Sequence, residues 1–304
     1  MLRELFIGLS TSHALRRFAE HSPVGQKMSR RFVAGTTVEE LLAAVEAVNA
    51  KGMSVSVDNL GENVTNADEA RASAQLYHQL LDLITQRRLD ANVSLKLTHM
   101  GLDVDEKLTQ QLVCALVNHA ARLNNFVRVD MEGSAYTQRT LDFVYEVFSH
   151  YPGRVGAVIQ SYMRRSEGDV KELIARGIRI RLCKGAYKEP PEIAFQKKAE
   201  VDANYIRLMR VLLTSGVYHG IATHDETIIR ETVRFAQTEH IKPDAFEFQM
   251  LYGIRRDLQE SLVKEGWGMR VYIPFGTEWY PYLMRRLAER PANALFIAKN
   301  IFRR

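Results

Sequence analysis

Cysteine is scarce in this chain, with Cys114 and Cys183 the only two among 304 residues. Two thiols make no disulfide framework, and their separation fits no metal-ligand spacing. Cys114 lies in the run Leu112-Val-Cys-Ala-Leu-Val117 and reads as a small core residue. So few thiols suit a reducing, cytoplasmic setting. Long apolar runs are missing too. Leu5–Leu9 is too short for a signal h-region, and no segment approaches the ~20 residues of a membrane helix. The chain reads as soluble, or peripheral at the inner face of a membrane.

Charge of one sign is not concentrated anywhere. Lys and Arg number 41 against 36 Asp and Glu, a net +5 spread along the chain. A nucleic-acid partner calls for a basic stripe or patch, so none is expected. Arg16, Arg17, Lys27, Arg30 and Arg31 form the densest basic stretch. It reads as a solvated helix face, with weak attraction to an anionic membrane as the second meaning. Several catalytic signatures are also absent. No His-x-His or His-Glu-x-x-His supports a metal, and no metal is assigned. No Gly-x-Ser-x-Gly elbow supports a serine triad.

What is present is a repeat of short apolar, β-branched runs, each followed by a longer helical pattern. The runs begin near Met53, Asn92, Phe126, Val155, Ile178, Val217, Ala245 and Met269. Between them, Glu69–Arg88, Lys107–Leu123, Thr137–Ser149, Ile193–Leu213 and Thr227–Glu239 carry helical periodicity. Asn66 and Asp68 suit a helix start, and Gly177 and Gly216 follow two helix ends. Eight alternating units without a linker predict an α/β protein, a single (β/α)8 barrel over 1–304. A doubly wound open sheet is the runner-up. It would carry Gly-x-Gly-x-x-Gly after its first strand, where this chain has Val57-Asp-Asn-Leu-Gly61. Residues 1–50 read as lead-in helices, ending with Thr37–Ala50 and a stop at Gly52.

Chemistry on such a barrel sits at the carboxyl ends of the strands. Those ends carry Asp58 and Glu62, Lys96, Asp130 and Glu132, Gln160, Arg181 with Lys184 and Tyr187, Thr223-His-Asp225, Glu247 and Gln249, and Tyr272. Taken singly, each is a solvated loop residue; together they favour a polar site. Arg181 and Lys184 lie where a parallel sheet is covered on both faces, so each needs an anion to offset desolvation. Lys96 or Lys184 also fits a Schiff-base, aldolase-like barrel, which is the rival reading. In the last helix Arg285 and Arg286 point about 100° apart, so periodicity aims at most one of them at a given site. Two guanidiniums near a barrel mouth nevertheless suit a carboxylate clamp.

The ordered motifs have a family likeness. Asp58-Asn-Leu-Gly-Glu62, Ser94-Leu-Lys96-Leu, Asp130-Met-Glu-Gly, Gln160-Ser-Tyr, Arg181-Leu-Cys-Lys-Gly-Ala-Tyr187, Ala222-Thr-His-Asp225, Glu247-Phe-Gln-Met-Leu-Tyr-Gly253 and Tyr272 through Arg285-Arg286-Leu resemble proline dehydrogenase, in its short monofunctional bacterial form. The likeness runs from about Met53 to Arg290. It implies a distorted barrel holding FAD, with the final helix over the mouth, oxidising L-proline to Δ1-pyrroline-5-carboxylate and passing electrons to a quinone. By the same resemblance, Lys96, Arg285 and Arg286 would hold the substrate carboxylate, with Tyr187 and Tyr272 beside the ring. Asp130 and Arg181 match catalytic positions. Met131, Gln160, Arg181, Lys184, Gly185, Ala186, Thr223 and His224 match flavin contacts, and Asp58 with Glu62 would gate access through Lys96 and a helix arginine. A separate pyrroline-5-carboxylate dehydrogenase would take the product, since no aldehyde-dehydrogenase module follows Arg304.

Overall fold

In the computed structural model the residues described are 22, 25, 29–61 and 63–289, with Arg285–Glu289 described by backbone alone. A helix, α1 (Val38–Asn49), precedes β1 (Ser54–Asn59), α2 (Ala67–Gln86), β2 (Ala91–Leu95), α3 (Glu106–Arg122), β3 (Val127–Val129), α4 (Ser134–His150) and β4 (Val155–Gln160). Then come α5 (Ser166–Ala175), β5 (Arg179–Cys183), α6 (Lys198–Leu213), β6 (His219–Ala222), α7 (Glu226–Thr238), β7 (Phe246–Leu251), α8 (Arg256–Lys264), β8 (Met269–Phe275) and α9 (Trp279–Glu289). The eight strands are parallel and close in sequence order, β1 pairing with β8. This is the (β/α)8 barrel that the alternation predicts.

The strands alternate strictly. Val55, Val57, Val93, Leu95, Val127 and Val129 face outward into one core with Tyr77, Leu80 and Leu116 of the surrounding helices. Registers such as Ser56↔Asn92, Ser94↔Arg128, Gly156↔Arg179 and Gln249↔Arg270 bring the other parity into the lumen. Barrel interiors are ordinarily packed with branched aliphatics; this one is largely polar and charged. At its lower level Arg270 Nε donates to Glu247 Oε1 (2.7 Å) and Nη1 to the Val55 carbonyl (2.7 Å). Arg128 Nη1 donates to the carbonyls of Ala157 (3.0 Å) and Arg179 (2.6 Å). Burial and the charge of Arg181 hold the Arg128 guanidinium well below its ordinary pKa. Glycines create the room: a Cβ on Gly156 would lie 2.7 Å from Arg128 Nη1, and one on Gly220 would lie 2.3 Å from Gln249 Nε2.

Local signals explain the helix ends. Thr37 caps α1 in a capping box with Glu40, Asn66 accepts from Glu69 N (2.9 Å) at the start of α2, and Gly177 and Gly216 take positive φ after α5 and α6. The expected helix from Ile193 starts later, at Lys198. Ile193 N and Ala194 N instead both donate to the Pro190 carbonyl, and Ala194 forms a bridge with Met163. That pairing folds residues 190–197 over the end of β4, where tertiary contact overrides helical periodicity.

The ends of the chain settle what covers the barrel. Leu41, Val45 and Val48 of α1 pack with Met53 and Val55, alongside β1 and β8, in the slot a helix after β8 would otherwise take. Helix α9 goes elsewhere: Trp279, Tyr280, Tyr282 and Leu283 pack on Phe32, Val33, Leu60 and Ile254. Leu60 and Ile254 follow the carboxyl ends of β1 and β7, so α9 lies on the barrel mouth. Most of the lead-in predicted over 1–50 falls outside the described residues.

Gly156→Ala should lower stability by about 1–3 kcal/mol, because its Cβ meets the Arg179 carbonyl at 2.4 Å as well as Arg128. The thermal unfolding midpoint checks this, and an unchanged midpoint would mean the lumen is looser than its geometry.

Candidate active site

The upper lumen is organised around Arg181 of β5, which is 6% exposed. Its Nε donates to Gln249 Oε1 (2.6 Å), Nη1 to Asp130 Oδ1 (2.6 Å) and Ser94 Oγ (3.1 Å), and Nη2 to Ser56 Oγ (3.2 Å). Every guanidinium nitrogen is thus engaged, which is what a buried charge requires. Asp130, just past β3, is held by Arg181, by Ser94 Oγ (2.8 Å) and by the Tyr272 hydroxyl on Oδ2 (2.8 Å). The Tyr272 ring lies under the Arg181 guanidinium, 5.0 Å from centroid to Cζ. Burial and the neighbouring Asp130 and Asp58 charges keep the Tyr272 phenol protonated, well above its ordinary range.

Beside this pair, Lys96 Nζ meets Asp58 Oδ2 at 3.4 Å. Asp58 is 1% exposed and its Oδ1 has no hydrogen-bond partner. Burial raises its pKa to about 6, against the pull of Lys96 and with help from the Asp130 charge. Asp58 and Lys96 therefore sit at a balance point: a buried carboxylate is tolerated mainly through one cation. A lysine so placed is a ready partner for an incoming carboxylate.

A second group surrounds the ends of β4, β5 and β6. Gln160 Nε2 donates to the carbonyls of Met131 and Glu132 (both 3.1 Å), while its buried Oε1 has no partner. Lys184 Nζ contacts Asp202 Oδ1 (2.5 Å) and Asp225 Oδ2 (2.7 Å). Burial alone would raise the Asp225 carboxyl, but hydrogen bonding and charge from Lys184 outweigh it and bring the pKa to about 2. Gly185, at φ 107°, lies against the Tyr162 ring, where a Cβ would clash at 2.2 Å. Thr223 Oγ1 accepts from Asp225 N (3.0 Å), and His224 Nε2 from Leu251 N (2.9 Å). Glu189 ties the intervening loop to the start of α4 by accepting from Ser134 N (2.7 Å).

The positions singled out in the sequence thus fall into two neighbouring sets. Asp58, Lys96, Asp130, Arg181 and Tyr272 are joined in one cluster. Met131, Gln160, Lys184, Gly185, Ala186, Thr223 and His224 occupy the adjoining strand ends. Tyr187 stands at the rim, 37% exposed. Glu62 and the side chains of Arg285 and Arg286 lie outside the described residues. The anions that Arg181 and Lys184 call for are, within the chain, Asp130, Asp202 and Asp225. Lys96 and Lys184 are each committed to carboxylates, unlike the amine of a Schiff-base lysine in an apolar pocket. Ser56 and Ser94 were legible from the alternation Ser-Val-Ser-Val-Asp58 and Ser94-Leu-Lys96, and Tyr162 closes the Gln160-Ser-Tyr motif, whereas nothing local marks Asp202. Among the described residues no group of three or more His, Cys, Asp and Glu could hold a metal ion.

A closed parallel barrel with an ion-paired polar cluster at its carboxyl end defines a (β/α)8-barrel enzyme. The chain belongs to the proline dehydrogenase family, whose model matches residues 41–299. It is 39% identical to proline dehydrogenase 1 of Bacillus subtilis subsp. natto over 305 residues, the full length of both chains. It is 38% identical to the proline dehydrogenase of Deinococcus radiodurans over 280 residues, 91% of this chain and 90% of that one. Its fold matches proline utilization A (PutA) from Bdellovibrio bacteriovorus, inactivated by N-propargylglycine, with a TM-score of 0.83 and 26% identity. That match covers 90% of this chain and 34% of the larger protein. The chain is accordingly an oxidoreductase of proline catabolism, with proline as substrate.

Because the folded pKa of Asp58 is raised to about 6, its stabilising contribution is complete below pH 4 and is lost as pH rises through 6. Asp58→Asn should match the parent at pH 4 and exceed it by up to about 3 kcal/mol at pH 7. Thermal unfolding at the two pH values checks the sign.

Proposed function

We propose that the enzyme uses FAD to oxidise L-proline to Δ1-pyrroline-5-carboxylate and delivers the electrons to a quinone. The observation that carries this reading is the Lys96–Asp58 pair beside the Asp130–Arg181–Tyr272 cluster. It joins a cation for a carboxylate to a rigid wall for a small ring. The strand ends fit a flavin chemically: Gln160 presents a buried acceptor without a donor, Gly185 leaves backbone room, and Lys184 and Arg181 supply positive charge. When bound, FAD would accept the hydride from the ring carbon next to nitrogen, leaving a C=N bond.

The chain's own residues would do the rest. Lys96, with Arg285 and Arg286 from α9, holds the substrate carboxylate, and Lys96 exchanges Asp58 for it. Tyr272 and Tyr187 bound the ring. The amine gives up its proton to solvent water before hydride can leave, and the Asp130–Arg181 ion pair stands beside it. Arg181 places a fixed positive charge where reduction builds negative charge. Asp58 and Glu62 would close the pocket when no substrate holds the cations.

The product would pass to a separate pyrroline-5-carboxylate dehydrogenase. Quinone reduction implies a cytoplasmic protein in peripheral contact with the inner face of the membrane. No helix among the described residues is long and apolar enough to span it.

Purified protein should be yellow, and L-proline should bleach it without oxygen; a colourless protein that stays inactive with added FAD would overturn the reading. Arg285→Met or Arg286→Met should weaken proline binding roughly tenfold to a hundredfold while flavin stays bound. Flavin loss in either variant would show that the pair is misplaced.

A further inference from the structure

The amino-terminal end of the barrel, opposite the catalytic cluster, holds a cavity of about 440 Å³. Four arginines line it: Arg88 in the loop before β2, Arg154 before β4, Arg179 opening β5 and Arg270 in β8. Asp90 is its one carboxylate. Arg270 already faces Glu247 in the lumen at 2.7 Å. Among the described residues, no carboxylate lies within ion-pairing distance of the other three. Arg154 donates to Asn124 Oδ1 (2.8 Å), and Arg179 stands over the Phe126 and Tyr218 rings. Elsewhere the surface arginines often meet a carboxylate, as Arg87 meets Glu46, Arg176 meets Glu172 and Arg210 meets Glu231. Three guanidiniums against Asp90 therefore leave two positive charges uncompensated in one concavity.

Arg88 sits at φ 53° just after α2, a conformation that Asn124 of the same rim and His240 before β7 share and that Gly153 and Gly177 take before β4 and β5. An L side chain there is strained, and this one brings a guanidinium to the cavity rim.

We propose that this cavity is an anion site distinct from the proline site. It takes a small dianionic oxyanion, inorganic phosphate or a compact dicarboxylate, through Arg88, Arg154 and Arg179. Planar guanidiniums bind such oxygens two at a time, and Arg88 and Arg179 are exposed, so a ligand reaches them from solution.

Isothermal titration of the full-chain protein with phosphate and with succinate, at ionic strength fixed with chloride, tests it. At least one should bind saturably at one site, and the tighter of the two identifies the ligand chemistry. Arg154→Gln/Arg179→Gln should weaken that binding roughly tenfold or more, with kcat and KM for proline unchanged when the anion is left out. Arg71→Gln, on the outer face of α2, should bind as the parent does. Arg88→Gly removes a guanidinium while relieving the backbone, so it should unfold no earlier than the parent yet bind the anion more weakly. No saturable heat for either anion up to ~10 mM, or unchanged affinity in the double variant and in Arg88→Gly, would overturn the proposal.

Discussion

The ion pair between Arg181 and Asp130 is the interaction on which the upper barrel depends. Removing either partner would leave an unpaired charge in the lumen, a change that typically costs several kcal/mol. The pair also orders its surroundings. Ser56, Ser94, Gln249 and Tyr272 come from β1, β2, β7 and β8, and each spends its hydrogen-bonding group on Arg181 or Asp130. Five strands and the residue after a sixth are thereby registered at one level. A polar lumen is harder to fill than an aliphatic one, but once every donor is used it is also more specific. The catalytic end inherits that rigidity.

The second constraint is the exchange of places between the chain's two ends. Because α1 fills the gap between β1 and β8, α9 is free to lie on the mouth against Leu60 and Ile254. The first turns of α9, Trp279 to Met284, are thereby laid across the mouth instead of along the outer wall of the barrel. Helix capping by Thr37 and Glu40 has its consequence here, since it defines where α1 begins and therefore where residues 32–35 cross the mouth. Ala34 N donates to the Pro274 carbonyl and Gly276 N to that of Gly35, which secures the crossing.

Asp58 and Lys96 show how electrostatics can be poised without a metal. A carboxylate with one oxygen unpartnered and its pKa near 6 is held only loosely in its charged form. Its cation can therefore change partners at modest cost. The Lys184 group contrasts with it: Asp202 and Asp225 share Lys184, and Asp225 is ionised at any ordinary pH. One cation is held by a single, partly satisfied carboxylate and the other by two.

Much of this was legible in the residues themselves. Period-two alternation marks the strands, because their outward Val, Leu and Ile must meet helices while the other parity faces the lumen. The same alternation puts Ser56, Asp58, Ser94 and Lys96 on one wall, and the motif order along the chain points to the family. Where local pattern ends, contacts between distant residues decide. The start of α6 moved from Ile193 to Lys198 because Ala194 pairs with Met163 across the chain. Asp202 joins Lys184 only because α6 packs beside the end of β5, and no spacing along the chain encodes that. Which anion balances each buried cation was likewise settled by tertiary structure, since Arg181 of β5 meets Asp130 after β3 only across the lumen of the curved sheet.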